Sequence, residues 1–173
     1  MKTKTLVVTL GVWFAAAALC LAASPQMGTW KLNEAKSTFT PGTPKNTMVV
    51  YKDAAGGKVQ ITTEGIDAHG KATHSEWTGK FDGKDYPVTG DATSDMRSYR
   101  KLDDRTLDFT VKKGGKITVT GRVVVAADGK SRTVTTSGTT GIAASTGRAW
   151  QRADFLTPDK GKKYKNTAVF DKQ

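Results

Sequence analysis

Apolar and polar residues alternate with a period of two through most of the chain. In RTLDFTV, Leu107, Phe109 and Val111 fall on one face, and Thr106, Asp108 and Thr110 fall on the other. KITVTGRVVV groups Ile117, Val119, Val123 and Val125 in the same way, and KVQIT groups Val59 with Ile61. A period of two is that of a strand burying one face. The turn signals AGGK (55–58), HGK (69–71), DGK (82–84), GGK (114–116) and DGK (128–130) separate these segments, which are rich in β-branched and aromatic residues. The pattern predicts strands over 28–32, 46–53, 57–65, 71–81, 85–89, 95–102, 105–113, 116–126, 130–137 and 166–172. Asn33 to Ser37 reads as one helical turn capped by Asn33.

Short links make successive strands antiparallel neighbours. A meander of this length has two exposed edges unless the sheet closes. The predicted fold is all-β, an antiparallel up-and-down β-barrel of about 8–10 strands whose last strand returns beside the first, with a sandwich as the alternative. The stretch from Gly138 to Asn166 breaks the pattern. It is rich in Gly, Ser, Thr and Ala and then polar and basic, so it reads as a lid or insertion with room for a further strand around Arg148 to Arg152.

The first residues have a different character. Lys2 and Lys4 precede an almost wholly apolar run from Leu6 to Leu21, followed by Ala22, Ala23 and Ser24. This is the pattern of a secretory signal peptide over 1–23, leaving one domain over 24–173 and an exported, periplasmic or extracellular product. The only cysteine, Cys20, lies inside that leader. Lipidation at Cys20 calls for a leucine-like residue three positions earlier and a small residue directly before it. Ala17 and Leu19 stand there instead. No later segment is apolar for long enough to form a membrane-spanning helix.

Removing Lys2 and Lys4 lowers the formal net charge from +11 to +9. The lysines are spread along the chain, with their densest cluster at KGKKYK (Lys160 to Lys165). For an exported chain this speaks for solubility, an anionic ligand or an anionic envelope surface rather than nucleic acid.

The stretch MGTWKLN holds a Gly-x-Trp signature, Gly28 and Trp30, at the start of the first strand. In this setting it resembles the lipocalins and their relatives, in which the tryptophan plugs the closed end of the barrel. The resemblance extends to a group of small exported bacterial lipocalin-like barrels through GTWKLNEAKSTF (28–39), FDGKDYPVTGD (81–91) and AVFDKQ (168–173). It implies a lipocalin or fatty-acid-binding-protein type of barrel, with Phe170 on the last strand close to Trp30. True lipocalins stack an arginine of the last strand on the tryptophan, whereas here that strand offers only Lys172.

Catalytic candidates are weak. No serine stands in a nucleophile elbow, and His69 and His74 lack a recognisable partner arrangement. His74 and Glu76 share a strand face, with Glu64 or Asp67 near. However, Trp77 and Phe81 occupy the opposite, inward face, so the pair is expected in water rather than on a metal. Gly121 and Gly138 read as bulges or bends. Haem-binding barrels share the GTW opening, but the glycine-rich continuation and an axial histidine near the C-terminus are missing. The expectation is therefore a non-enzymatic barrel without cofactor or metal. It would hold a small apolar or amphipathic anion between Trp77, Phe81, Tyr99 and Phe109. Arg100 and Arg132 have a solvated outer face as their default. Turned inward, a guanidinium such as that of Arg132 would suit a carboxylate or phosphate. The alternative is a barrel without a cavity that binds the envelope or a protein through its basic exterior.

Overall fold

The computed structural model describes residues 24–139 and 161–173. The expected leader over 1–23, Cys20, Lys160 and the strand expected around 148–152 lie outside them. Ten strands form one closed antiparallel barrel. They are β1 (Gly28–Thr38), β2 (Lys45–Ala54), β3 (Lys58–Ile66), β4 (Ala72–Gly79), β5 (Asp82–Thr89), β6 (Met96–Lys101), β7 (Thr106–Lys113), β8 (Lys116–Val125), β9 (Ser131–Thr139) and β10 (Lys163–Lys172). Each strand pairs with the next, and β1 closes the sheet by pairing with both β2 and β10. Closure removes the exposed edges that an open meander would present.

The hairpins rest on a recurrent device. The carboxylates of Asp67, Asp82, Asp91, Asp103 and Asp128 each accept the backbone N–H two residues on, at 2.8–3.0 Å. Asp and Asn side chains stabilise turns in this way by replacing a backbone acceptor.

Three local expectations are corrected. Asn33 to Ser37 is not a helical turn: β1 continues to Thr38, and its register against β10 shifts between Asn33 and Thr38. Asn33 Oδ1 accepts Lys36 N–H at 3.2 Å, and its backbone carbonyl accepts the Ser37 hydroxyl at 2.6 Å. The capping chemistry is present, but it stabilises a bulge. Ile117 is the second correction, being 59% exposed rather than inward like Val119. A register shift between Val111 and Lys112 lies opposite it, and a one-residue slip moves a side chain to the other face.

Gly121 is neither a bulge nor a bend, because it keeps regular register with Phe109 and Thr136. Its value is space. A Cβ there would stand 2.4 Å from Phe109 Cζ and 2.7 Å from the Thr135 carbonyl oxygen. The Phe109 ring can lie over this position only because no side chain is there.

The core follows the alternation, with Trp30, Val49, Tyr51, Val59, Ile61, Trp77, Tyr99, Leu107, Val123, Val125 and Phe170 buried together. One barrel end is closed by the entering chain. Trp30, fully buried, donates its indole N–H to the Gln26 carbonyl at 2.9 Å. Gln26, itself buried, donates through Nε2 to the Arg105 carbonyl in the β6–β7 turn at 2.9 Å. Gly28 begins β1 with φ of 110°, and a Cβ there would lie 3.0 Å from the Lys172 side chain. A glycine meets both demands.

Candidate ligand-binding cavity

Arg132 stands at position two of β9, in phase with Val134 and Thr136, and all three line the barrel interior. The outer-face default therefore fails for this arginine, which is 2% exposed, while Arg100 does lie outside. Register explains the placement: Arg132 pairs with Val125 on β8 and Phe170 on β10, both inward-facing and buried. Its guanidinium carbon lies 4.8 Å from the ring centroid of Trp30, 4.8 Å from that of Tyr51 and 5.1 Å from that of Phe170. The arginine over the tryptophan thus comes from the penultimate strand and not from the last, whose Lys172 also approaches the Trp30 ring, at 5.2 Å. Trp30 and Phe170 meet through this shared cation.

The arginine is incompletely satisfied. Its Nε and Nη1 are buried without an acceptor among the described residues. Tyr51, adjacent and buried, shares a hydrogen bond with it. Burial pulls the guanidinium below its ordinary pKa, against the opposing effects of Tyr51 and Tyr99. Burial also pushes the Tyr51 phenol up to about 12, although Arg132 favours the phenolate. Tyr51 therefore stays a neutral O–H group near neutral pH. It can both accept from the arginine and donate to a further oxygen.

Above this base lies a cavity of about 200 Å³. Its middle is walled by Val49, Tyr99, Phe109, Val123, Val134 and Ala168. Toward the other end come Asn46, Thr93, Arg97, Thr136, Tyr164 and Asn166. The barrel is therefore not filled by its own side chains, as the surface-binding alternative assumes. Of the four aromatic residues expected to line it, Tyr99 and Phe109 do so and Trp77 and Phe81 do not. Trp77 packs edge-on against Tyr99 at 4.8 Å and parallel to Phe81 at 6.3 Å, and its indole N–H is bound to the Arg97 carbonyl at 2.8 Å. These two rings are packing behind the cavity wall.

Arg97 is the contributor that sequence reasoning missed. It shares its face with Tyr99 by the strand period, and that phase was the available signal. Its side chain is 12% exposed, and its Nε is buried without an acceptor among the described residues. Its nearest carboxylate, Asp91, is 3.9 Å away, beyond hydrogen-bond reach. Burial raises the Asp91 pKa, but hydrogen bonds from Thr93 and Ser94, with Arg97 beside it, bring the net shift below the ordinary value. Those bonds, at 2.7–2.8 Å, occupy both carboxylate oxygens.

The mouth is bordered by the β1–β2 loop. Asn166 on β10 accepts the Thr40 N–H at 2.8 Å and donates to the Thr43 hydroxyl at 2.9 Å. The Thr43 hydroxyl in turn donates to the Thr40 carbonyl at 2.6 Å. This pins Phe39 and Pro44, both of which line the cavity.

Two other places carry less chemistry. A wider concavity of about 630 Å³ lies along the outer wall, bordered by Ser98, Arg100, Asp108 and Thr120. Its one lining carboxylate among the described residues, Asp108, is already engaged: it binds Arg122 at 2.7 and 3.1 Å and lies 3.5 Å from Arg100. His74 and Glu76 project into solvent, with His74 Nδ1 2.6 Å from Glu64 and Nε2 3.6 Å from Glu76. Among the described residues no group of three or more His, Cys, Asp or Glu is placed to hold a metal.

No protein-family model matches this chain, and no curated protein matches it. Among solved structures, one described as EF1p2_mFAP2b bound to DFHBI is similar at 12% identity and a TM-score of 0.48, over 86% of this chain and 94% of that one.

Proposed function

We propose that the protein is a non-enzymatic, exported binding protein that holds one small amphipathic anion in its barrel. The single observation that supports it best is Arg132, a buried cation lining a cavity with two N–H groups that no acceptor among the described residues meets. An uncompensated buried charge is expensive, and a buried donor left without a partner costs roughly 1–3 kcal/mol. A carboxylate or comparable anionic head in the cavity would remove both costs at once. Beside Arg132, the Tyr51 hydroxyl offers a further donor, and the apolar wall above would cover the body of the ligand.

The sequence resemblance to lipocalin-like barrels supports the same reading, and the leader over 1–23 supports export. Native mass spectrometry of the protein purified from its own host tests the reading. A bound organic acid that is absent from an Arg132→Met variant is the expected result. Protein without any adduct, which also fails to bind every carboxylate in a panel of aromatic and aliphatic acids, would overturn it.

A further inference from the structure

The cavity describes its ligand more narrowly than "a small amphipathic anion". Resting on that reading, we infer that the ligand is a compact monocarboxylic acid about the size of one aromatic ring, carrying a second, uncharged oxygen acceptor that meets Arg97 at the mouth.

Size comes first. A cavity of about 200 Å³ is a little larger than the roughly 150 Å³ apolar cavity that accommodates benzene. It is smaller than the roughly 300–1,000 Å³ typical of pockets for drug-sized ligands. One ring with a carboxylate fits. A long alkyl chain would have to leave through the mouth, past Phe39 and Pro44, which the Asn166 contacts hold in place.

Charge comes second. Among the described residues, the charged side chains lining the cavity are Arg97, Arg132 and Asp91. Two cations and one carboxylate leave one positive charge, which a monoanion neutralises. A dianion would bury excess negative charge beside Asp91, and a neutral ligand would leave Arg132 uncompensated.

The second acceptor follows from Arg97. Its buried Nε has no acceptor among the described residues, and Asp91 Oδ2 stands 3.9 Å from Arg97 Nη2, beyond hydrogen-bond reach. Arg132 lies at the closed base and Arg97 toward the mouth, and both line the same cavity of about 200 Å³. One small molecule can therefore reach both. The carboxylate belongs at Arg132, which pairs with no carboxylate among the described residues. A hydroxyl or carbonyl oxygen belongs at Arg97, whose charge Asp91 already offsets.

The test measures binding of phenylacetate, 4-hydroxyphenylacetate, terephthalate, phenylacetamide and palmitate to the protein as its host exports it, stripped of bound small molecules. Calorimetry should show 4-hydroxyphenylacetate binding about tenfold more tightly than phenylacetate, the worth of one hydrogen bond to a charged donor. Arg97→Gln should erase that preference while weakening both acids, because it also removes one cation from the cavity. Arg97→Lys, which keeps the charge, should recover only part of it. Equal affinity of the two acids in wild type, or a preference that survives Arg97→Gln, overturns the second contact. Terephthalate binding tightest overturns the charge count, and palmitate binding tightest overturns the size class. In each of those cases anion binding itself stands. Binding of phenylacetamide equal to phenylacetate, or of no probe at all, removes the underlying reading and this inference with it.

Discussion

The guanidinium of Arg132 rests 4.8 Å from the ring of Trp30, so the plug of the closed end and the cation of the cavity floor are one unit. This arrangement sets two opposing effects on stability. Cation–π contacts are favourable, by up to about 2 kcal/mol when desolvated. Burying a cation whose Nε and Nη1 lack acceptors among the described residues is unfavourable, and replacing such groups by apolar ones of similar volume is often neutral or stabilising. Arg132→Met should therefore change ligand-free stability by less than about 1 kcal/mol, or raise it, while abolishing acid binding. Urea denaturation beside calorimetry reads both. A loss of several kcal/mol without ligand would show that the arginine is there for the fold.

Trp30 behaves differently. It is fully buried, and its indole N–H satisfies the Gln26 carbonyl. Trp30→Ala should cost about 3–5 kcal/mol through lost burial and the cavity left behind. An unchanged urea midpoint would mean that the closed end carries little of the stability.

The contrast between these two residues shows what the sequence makes legible. Strong alternation, as at Leu107, Phe109 and Val111, sets an inward face, and a chain of short hairpins sets the meander. Closure follows from the cost of edges. Arg132 was harder, because a period-two reading sends charge outward unless a neighbour in phase contradicts it. Val134 is that neighbour, and one residue is a thin signal against a guanidinium. Trp77 and Phe81 expose another limit: alternation reports the face of a strand but not the level along the barrel axis, so inward rings can lie behind the cavity. Bulges defeat the reading locally, as at Ile117 and Asn33, because they depend on pairing with a distant strand.

The hairpin aspartates give a dependence on acid. Asp67, Asp82 and Asp103 accept backbone N–H groups, led respectively by those of Lys71, Lys84 and Arg105, and these hold their pKa values below the ordinary 3.8. A carboxylate depressed on folding contributes stability that is fully present above its unfolded value and is lost as pH falls through the folded one. Stability should therefore fall as pH drops below 3.8. Asn at all three positions keeps an oxygen acceptor but cannot titrate, so it should flatten that fall while preserving the turns. Urea midpoints across the acid range that coincide for the two proteins would assign acid sensitivity elsewhere.

His74 responds in the opposite sense. Its hydrogen bond to Glu64 raises its pKa above the ordinary 6.5, with Glu76 adding to the effect and partial desolvation opposing it. The contribution is fully present below 6.5 and disappears as pH rises through the folded value. An NMR titration of the His74 ring should show a midpoint above 6.5 that falls on Glu64→Gln. A midpoint insensitive to that substitution would dissolve the pair. Because both groups are exposed, ligand binding should be unaffected.

The mouth supplies the kinetic test. Asn166 is 4% exposed and ties the β1–β2 loop to β10 through Thr40 and Thr43. Asn166→Ala leaves the Thr40 N–H and the Thr43 oxygen without that partner, which should cost about 1–3 kcal/mol if both remain buried. A loop that opens instead will avoid part of this penalty, and Phe39 and Pro44 will then cover the cavity less tightly. Affinity changes within one binding site fall mostly on dissociation. Stopped-flow displacement of 4-hydroxyphenylacetate should accordingly show faster release from Asn166→Ala, with association changed much less. The floor contacts at Arg132 are untouched, so the preference for acid over amide should persist. Equal slowing of both rates would mean that Asn166 shapes the cavity itself rather than its entrance. Unchanged release would place the ligand's exit at some other part of the barrel.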